Sequence, residues 1–266
     1  MTQLIAEIGW NHMGDLNLAK EMIFAAKENG ADYAKFQTWS VKNLKPGPWD
    51  NDGRKEIYEK AELTKDMHEK LFEYCEEIRI KFLTSIFNFN DLEKLENLDL
   101  KIIKLPSHEI YNLHLIEKLC EKYEKVLVST GAAKWDEIIK ITNLKNFKKI
   151  IFLHCVSSYP CNFEDLNFFK YKKLEEISAN QIGYSGHYQG IEDGIIAITL
   201  GASYLEKHFT IDNNLPGRDN KFAILPKDFN KLSKFKNKYI EMINHKNIDL
   251  KQGEMDIFKN YRGRWG

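Results

Sequence analysis

Lysine, glutamate and histidine recur in this chain at the ends of short apolar runs, where a charge is costly to bury unless something meets it. Glu7 closes the first run and leads into Asn11 and His12. Lys35 and Gln37 close the second, and Thr84 and Ser85 the third. Lys104 ends the fourth, with Ser107 and Glu109 just beyond; Ser129, Thr130 and Gly131 end the fifth, and His154 the sixth, followed by Ser157. Ser185 and His187 follow the seventh run, Glu206 and His208 the eighth. Two lysines completing apolar runs ask for something negative, either an anionic ligand or an internal ion network with Glu7, Glu109 and Glu206 as partners. His187 and His208 become neighbours if their runs are adjacent strands, which lie about 4.8 Å apart. Such a pair could share an open, Lewis-acidic divalent cation, with Glu7 or Asp219 as a further carboxylate, or could be two hydrogen-bonded rim histidines. The Ser129-Thr130-Gly131 turn offers hydroxyls, N–H groups and a following helix N-terminus to a phosphate, an ordinary helix cap being the competing reading. His68, His114 and His245 fall in helical or exposed contexts and are expected at the surface.

Something must bring these run ends to one place, and the pattern between them says what. Short apolar runs at Gln3–Ile8, Tyr33–Gln37, Lys81–Ser85, Ile102–Leu105, Val126–Ser129, Ile150–His154, Ile182–Tyr184 and Ser203–Glu206 predict strands. Between them, apolar residues spaced by three and four predict helices over Leu16–Asn29, Lys65–Ile80, Leu92–Leu98, Leu113–Tyr123, Trp135–Leu144, Phe163–Ile177, Ile191–Leu200 and Lys227–Asn244. Eight such units predict a single (β/α)8 TIM barrel over residues 1–250, with a tail over 251–266, and the active rim of that fold is the C-terminal ends of its strands. No GxGxxG or GxxxxGK[ST] motif points to an open nucleotide-binding sheet. Val41–Leu63, with Pro46, Gly47, Pro48 and Gly53, reads as a long loop at the same rim.

Composition narrows the partners. The 39 basic and 39 acidic residues balance, so no global field draws the chain to nucleic acid or an anionic membrane, and a small-molecule ligand is expected. No run of 18 apolar residues and no basic leader is present, and Cys75, Cys120, Cys155 and Cys161 form no CxxC pair; a cytoplasmic protein with reduced, buried thiols is expected.

Several segments together resemble the sialic acid synthase family. They are Ala6-Glu7-Ile8-Gly9-Trp10-Asn11-His12-Met13-Gly14, Lys35-Phe36-Gln37-Thr38, Lys104 with Ser107 and Glu109, and Leu127-Val128-Ser129-Thr130-Gly131. Further on stand His154-Cys155 leading to Ser158-Tyr159-Pro160, Gly183-Tyr184-Ser185-Gly186-His187, Gly201-Ala202, Glu206-Lys207-His208-Phe209-Thr210 and Pro216-Gly217-Arg218-Asp219. The resemblance implies condensation of phosphoenolpyruvate with an aldose of N-acetylhexosamine type, giving a nonulosonic or related 3-deoxy-2-ketoacid sugar and phosphate. It implies His187 and His208 as ligands of a divalent metal, Mn²⁺ first and Mg²⁺ or Co²⁺ as alternatives. Lys35, Lys104, Ser129 and Ser185 look like phosphoenolpyruvate contacts, with Thr84 or Ser85 nearby, and Glu7 and Glu206 like site carboxylates. Asn11, Gln37, Ser107, Glu109, Ser157, Tyr159 and Asp219 complete the implied substrate-binding set, and a homodimer is implied as well.

The chain departs from the family pattern at three places. It stops before the small antifreeze-like domain that usually follows the barrel; it carries Ser157 and Gly186 where many members have Asn and Asp; and it reads Lys104-Leu105-Pro106-Ser107-His108-Glu109 in place of Lys-Ile-Gly-Ser-Gly-Glu. The expected tail, with Arg262, Arg264 and Trp265, is either a substitute for the missing domain or a frayed terminus. Two other functions compete, a non-catalytic sugar-acid-binding barrel and a metal-dependent aldolase or isomerase acting on a sugar phosphate.

Overall fold

The computed structural model describes residues 1–244 and 248–266; His245 lies outside the described residues. Among them, eight parallel strands close into a barrel in sequence order: β1 (Gln3–Gly9), β2 (Tyr33–Thr38), β3 (Lys81–Ile86), β4 (Ile102–Leu105), β5 (Lys125–Ser129), β6 (Ile150–Cys155), β7 (Gly183–Gly186) and β8 (Tyr204–His208), with β1 pairing back on β8. The helices are α1 (Leu16–Glu28), α2 (Arg54–Ala61), α3 (Lys65–Glu77), α4 (Leu113–Lys122), α5 (Trp135–Thr142), α6 (Phe168–Ile177), α7 (Glu192–Thr199), α8 (Pro226–Ile243) and α9 (Met255–Asn260). Local chemistry sets their starts. Asp15 accepts from the Asn17 and Leu18 amides, Thr64 from Met67 and Asn112 from Leu115, each satisfying donors that a first helical turn leaves free.

Alternation along each strand divides the core in two. One set of side chains, including Leu4, Ala6, Ile8, Phe36, Phe82 and Val126, faces the helices and joins the large outer core. The other set, Ile5, Tyr33, Leu83, Leu127, Ile151, Leu153 and Tyr204, plugs the lower barrel interior. Above that plug the interior turns polar.

The rim differs from expectation in detail. The Val41–Leu63 segment is not one loop: it holds two short 3₁₀ turns and α2. Helix is also absent at Leu92–Leu98, where a 3₁₀ stretch over Phe89–Leu95 stands instead. There Lys94 turns its ammonium onto Trp39 O (2.6 Å), Leu63 O (3.1 Å) and the Glu62 carboxylate (2.8 Å), clamping the rim segment at both ends. The expected helix over Phe163–Ile177 is split, because Asn167 adopts a left-handed conformation (φ 48°) and caps α6 from Phe168. β7 extends to Gly186 and so includes Ser185; a Cβ on Gly183 would sit 2.7 Å from Tyr204 O, so only glycine lets the two strands approach this closely. The tail carries α9, with the Arg262 guanidinium 4.6 Å over the Phe258 ring and Trp265 91% exposed.

Candidate active site

Register explains which strand-end residues meet. Glu7 pairs with Lys35 across β1 and β2 and with His208 across β1 and β8, Ser85 with Lys104, and Ser185 with Glu206. Side chains of equal parity point into the barrel, and a buried ion network results. Lys35 Nζ donates to Glu7 Oε2 (2.6 Å) and lies 3.7 Å from Glu206 Oε2; Lys104 Nζ donates to Glu206 Oε1 (2.6 Å). Gln37 Nε2 donates to the other Glu7 oxygen (2.6 Å), and Ser185 Oγ to Glu206 Oε1 (3.0 Å). The internal-network reading of the buried lysines is thus met, and Glu206 Oε2, which has no hydrogen-bond partner, leaves it with unused capacity.

The two carboxyls differ in proton affinity. Burial raises the Glu7 carboxyl above its ordinary range, although Lys35 works against the rise. Burial acts on Glu206 too, but Lys104 and Lys35 together bring it below the ordinary value. Burial also weakens the Lys104 ammonium, with Glu206 opposing.

Above the network stand the two imidazoles, ring centroids 5.3 Å apart. His187 Nδ1 sits 2.7 Å from Val156 O, so in the neutral ring Nδ1 carries the proton and Nε2 the lone pair. His208 Nδ1 lies 3.5 Å from Asp219 Oδ2 and has no hydrogen-bond partner. Burial, reinforced by His187, pushes His208 well below the ordinary histidine value, so it is a neutral ring. Asp219 is raised to about 7, chiefly by burial. Tyr159, joined to Pro160 by a cis bond, places its ring centroid 4.1 Å from that of His187. Among the described residues no group of three or more His, Cys, Asp or Glu side chains converges to hold a metal.

A third cluster completes the interior. The Gly131 amide donates to Ser107 Oγ (3.2 Å), Ser107 lies 3.6 Å from Cys155 Sγ, and the buried Ser129 and Ser157 hydroxyls have no partner.

The family model described as the NeuB family matches residues 22–247, most of the chain. The chain belongs to the NeuB family. It is 36% identical over 247 residues to the N,N'-diacetyllegionaminic acid synthase of Campylobacter jejuni, covering 87% of this chain and 74% of that one. It is 37% identical over 242 residues to the pseudaminic acid synthase of Helicobacter pylori, covering 86% and 70%. Among solved structures it is similar to the N-acetylneuraminic acid (sialic acid) synthetase of Leptospira borgpetersenii in complex with citrate, with TM-score 0.86, 32% identity, and coverage of 99% of this chain and 93% of that one. This NeuB-family chain is accordingly an enzyme, a carbon–carbon bond-forming synthase, and a barrel that only binds is set aside.

Several expected residues stand elsewhere. Thr84 faces the helices, not the interior: its hydroxyl lies 2.8 Å from that of Thr38, which in turn meets His68 Nε2 at 2.8 Å. Ser85, one residue on, has the inward parity. Glu109 is no partner of the lysines; it sits partly exposed on a 3₁₀ turn, and Lys45 is the charge that opposes the burial-driven rise of its carboxyl. His68 is fully buried against the expectation of a surface residue, whereas His114 is exposed. Asn11 braces the rim, its Nδ2 donating to Phe209 O (2.9 Å) and its carbonyl accepting from Asn220 (3.2 Å), while Oδ1 is left without a partner. His154 points outward to Leu166 O, and Cys155 takes the inward place, 3.9 Å from His187 Nδ1. Sequence reasoning read Cys155 as an ordinary buried thiol; counting strand parity from Leu153 would have found it.

Proposed function

We propose that this NeuB-family enzyme condenses phosphoenolpyruvate with the open-chain form of an N-acetylhexosamine-type aldose, giving a nonulosonic or related 3-deoxy-2-ketoacid sugar and inorganic phosphate. The observation that carries the reading is the buried Glu7–Lys35–Glu206–Lys104 network at the same strand ends as two imidazoles, with Glu206 Oε2 and the Ser129 and Ser157 hydroxyls left unpartnered. Lys35 and Lys104 supply the positive charge that a carboxylate and a phosphate need in a protein of zero net charge. Ser129 and Ser157 are donors for phosphate oxygens. As C3 of phosphoenolpyruvate attacks the aldehyde carbon, a positive centre develops at C2, and water adds there. Glu7, the carboxyl with the greater proton affinity, receives water's proton, while Glu206 stays ionised and keeps both lysines in position. The proton that Glu7 receives goes on to the alkoxide left at the former aldehyde carbon, and phosphate then leaves C2 with the C2 hydroxyl proton, giving the keto acid.

The donor set fits a divalent cation, Mn²⁺ foremost with Mg²⁺ or Co²⁺ as alternatives, because His208 is neutral with an orphaned nitrogen and His187 has its Nδ1 tied to a carbonyl. His187 and His208 would hold it, and when bound it would supply Lewis-acid polarisation of the aldehyde oxygen. The proposal includes a cytoplasmic homodimer. Among the described residues no helix is long and apolar enough to cross a membrane, and the four free cysteines are buried.

The test is a panel of aldoses supplied with phosphoenolpyruvate and Mn²⁺, read by phosphate release and product mass. A keto acid with the mass of the aldose plus pyruvic acid, and one phosphate per turnover, is expected. No release with any aldose overturns the reaction, and a metal titration of the His187→Ala/His208→Ala double variant that matches the parent overturns the metal site.

A further inference from the structure

Two of the five arginines in the chain, Arg54 and Arg218, line one cleft of about 450 Å³ together with Asp52, Gly53 and Ile57. The cleft adjoins the reaction centre. Arg218 immediately precedes Asp219, whose carboxylate is 3.5 Å from His208 Nδ1. Arg54 begins α2, and Tyr58, one turn further, stacks 5.0 Å from Trp10, just past the end of β1. Tyr58 lies within electrostatic reach of Arg54, Arg218 and Asp219 together, so it marks the boundary between cleft and site.

The backbone behind Arg218 is fixed. Asn220 Nδ2 donates to Pro216 O (2.8 Å) and to Asn11 O (3.2 Å), tying this segment to the loop after β1. Arg54 holds Asp52 in a two-pronged ion pair, whereas among the described residues no ion pair engages Arg218. Two guanidinium groups against one carboxylate leave the lining of the cleft with one net positive charge, one residue along the chain from Asp219.

We propose that Arg54 and Arg218 form a subsite for a phosphate monoester on the terminal carbon of the acceptor sugar, the end remote from its aldehyde. The inference rests on the proposed condensation for its orientation, with the aldehyde at His187 and His208. Planar guanidinium forks engage phosphate oxygens in pairs, and two forks match a dianion better than the hydroxyl of a neutral sugar. Asp52 competes for the same fork and acts as an internal stand-in for the ligand.

The experiment compares an N-acetylhexosamine with the same sugar carrying a terminal phosphate ester, by kcat/KM with phosphoenolpyruvate and by calorimetric binding to the full chain. The ester is expected to be favoured at least tenfold. Arg218→Gln and Arg54→Gln should each shrink that ratio to within about threefold, mostly through KM of the ester, and Asp52→Asn should widen it. Equal use of both sugars by the parent, or arginine variants that leave the ratio intact, overturns the subsite. If neither sugar releases phosphate, the condensation reading fails. Calorimetry then still decides the subsite: ester binding lost in Arg218→Gln supports it, and binding equal to the parent, or none in the parent, refutes it.

Discussion

Two buried ion networks share strand β8 and differ in one respect. Glu206 points inward and joins Lys104 and Lys35, while Lys207, the next residue, points outward to Asp193 on α7. The outer network is closed. Lys207 Nζ donates to both Asp193 oxygens (3.0 and 2.8 Å) and to Tyr188 O (2.7 Å), and Asp193 also accepts from the Tyr184 hydroxyl (3.0 Å) and the Gly194 amide (2.8 Å). The inner network is open, since Glu206 Oε2 has no hydrogen-bond partner and the nearby Ser129, Ser157 and His208 polar atoms are likewise unmatched. Both are buried pairings of lysine ammonium with carboxylate. Satisfaction tells architecture from chemistry, because a closed network has nothing left to offer a ligand.

The sharpest way to break this comparison is to remove a lysine from each network. Lys207→Met strands the Asp193 carboxylate in the outer core and should cost about 3–5 kcal/mol in denaturant unfolding. Lys104→Met should cost less stability, because Lys35 still lies 3.7 Å from Glu206. Equal losses in the two variants would erase the distinction.

A second contrast lies between histidines. His68 is enclosed on the outer face, with Nδ1 on Thr64 O and Nε2 on the Thr38 hydroxyl, and burial lowers it to about 4. Its folded value lies below its unfolded value near 6.5, so its contribution is fully present above that pH. It is lost as the pH falls from 6.5 toward 4, by up to about 3 kcal/mol. The acid limb of stability against pH should therefore be shallower in His68→Gln, by close to one proton in slope; an unchanged slope would mean that this ring titrates normally.

The inner lysines should report on ligand. Lys35→Met and Lys104→Met are expected to weaken phosphoenolpyruvate binding by on the order of 1.5–3 kcal/mol, measured by calorimetry. Unchanged affinity in both would make the inner network as structural as the outer one. The smallest effect is expected at the tail. Deleting Tyr261–Gly266, all exposed, should change unfolding free energy by less than about 0.5 kcal/mol, and a loss above 1 kcal/mol would show that it packs on the barrel.

The barrel itself was legible from the amino-acid pattern. Eight apolar runs alternating with amphipathic stretches admit few other closures, and the runs ended where the strands end to within two residues. The charged strand ends were legible too, because Lys35, Lys104, Glu7 and Glu206 interrupt runs that are otherwise apolar. Helix in the rim was not: α2 lies in a stretch with Pro46, Pro48 and Gly53, and it is held there by tertiary contacts such as Lys94 on Leu63 O, not by its own propensity.

What sequence alone determined, then, is which residues reach the catalytic rim; what only the tertiary structure decided is which of two neighbours faces inward. Thr84 and Ser85, His154 and Cys155, and Glu206 and Lys207 are equivalent by composition. In an antiparallel sheet with one wet face, polar alternation would tell them apart. Parallel barrel strands are buried on both faces, so both sides read as apolar, and a polar residue near the end carries no mark of its side. Closure fixes the register, and the register sends Glu206 to the lysines of the interior and Lys207 to the aspartate of a helix.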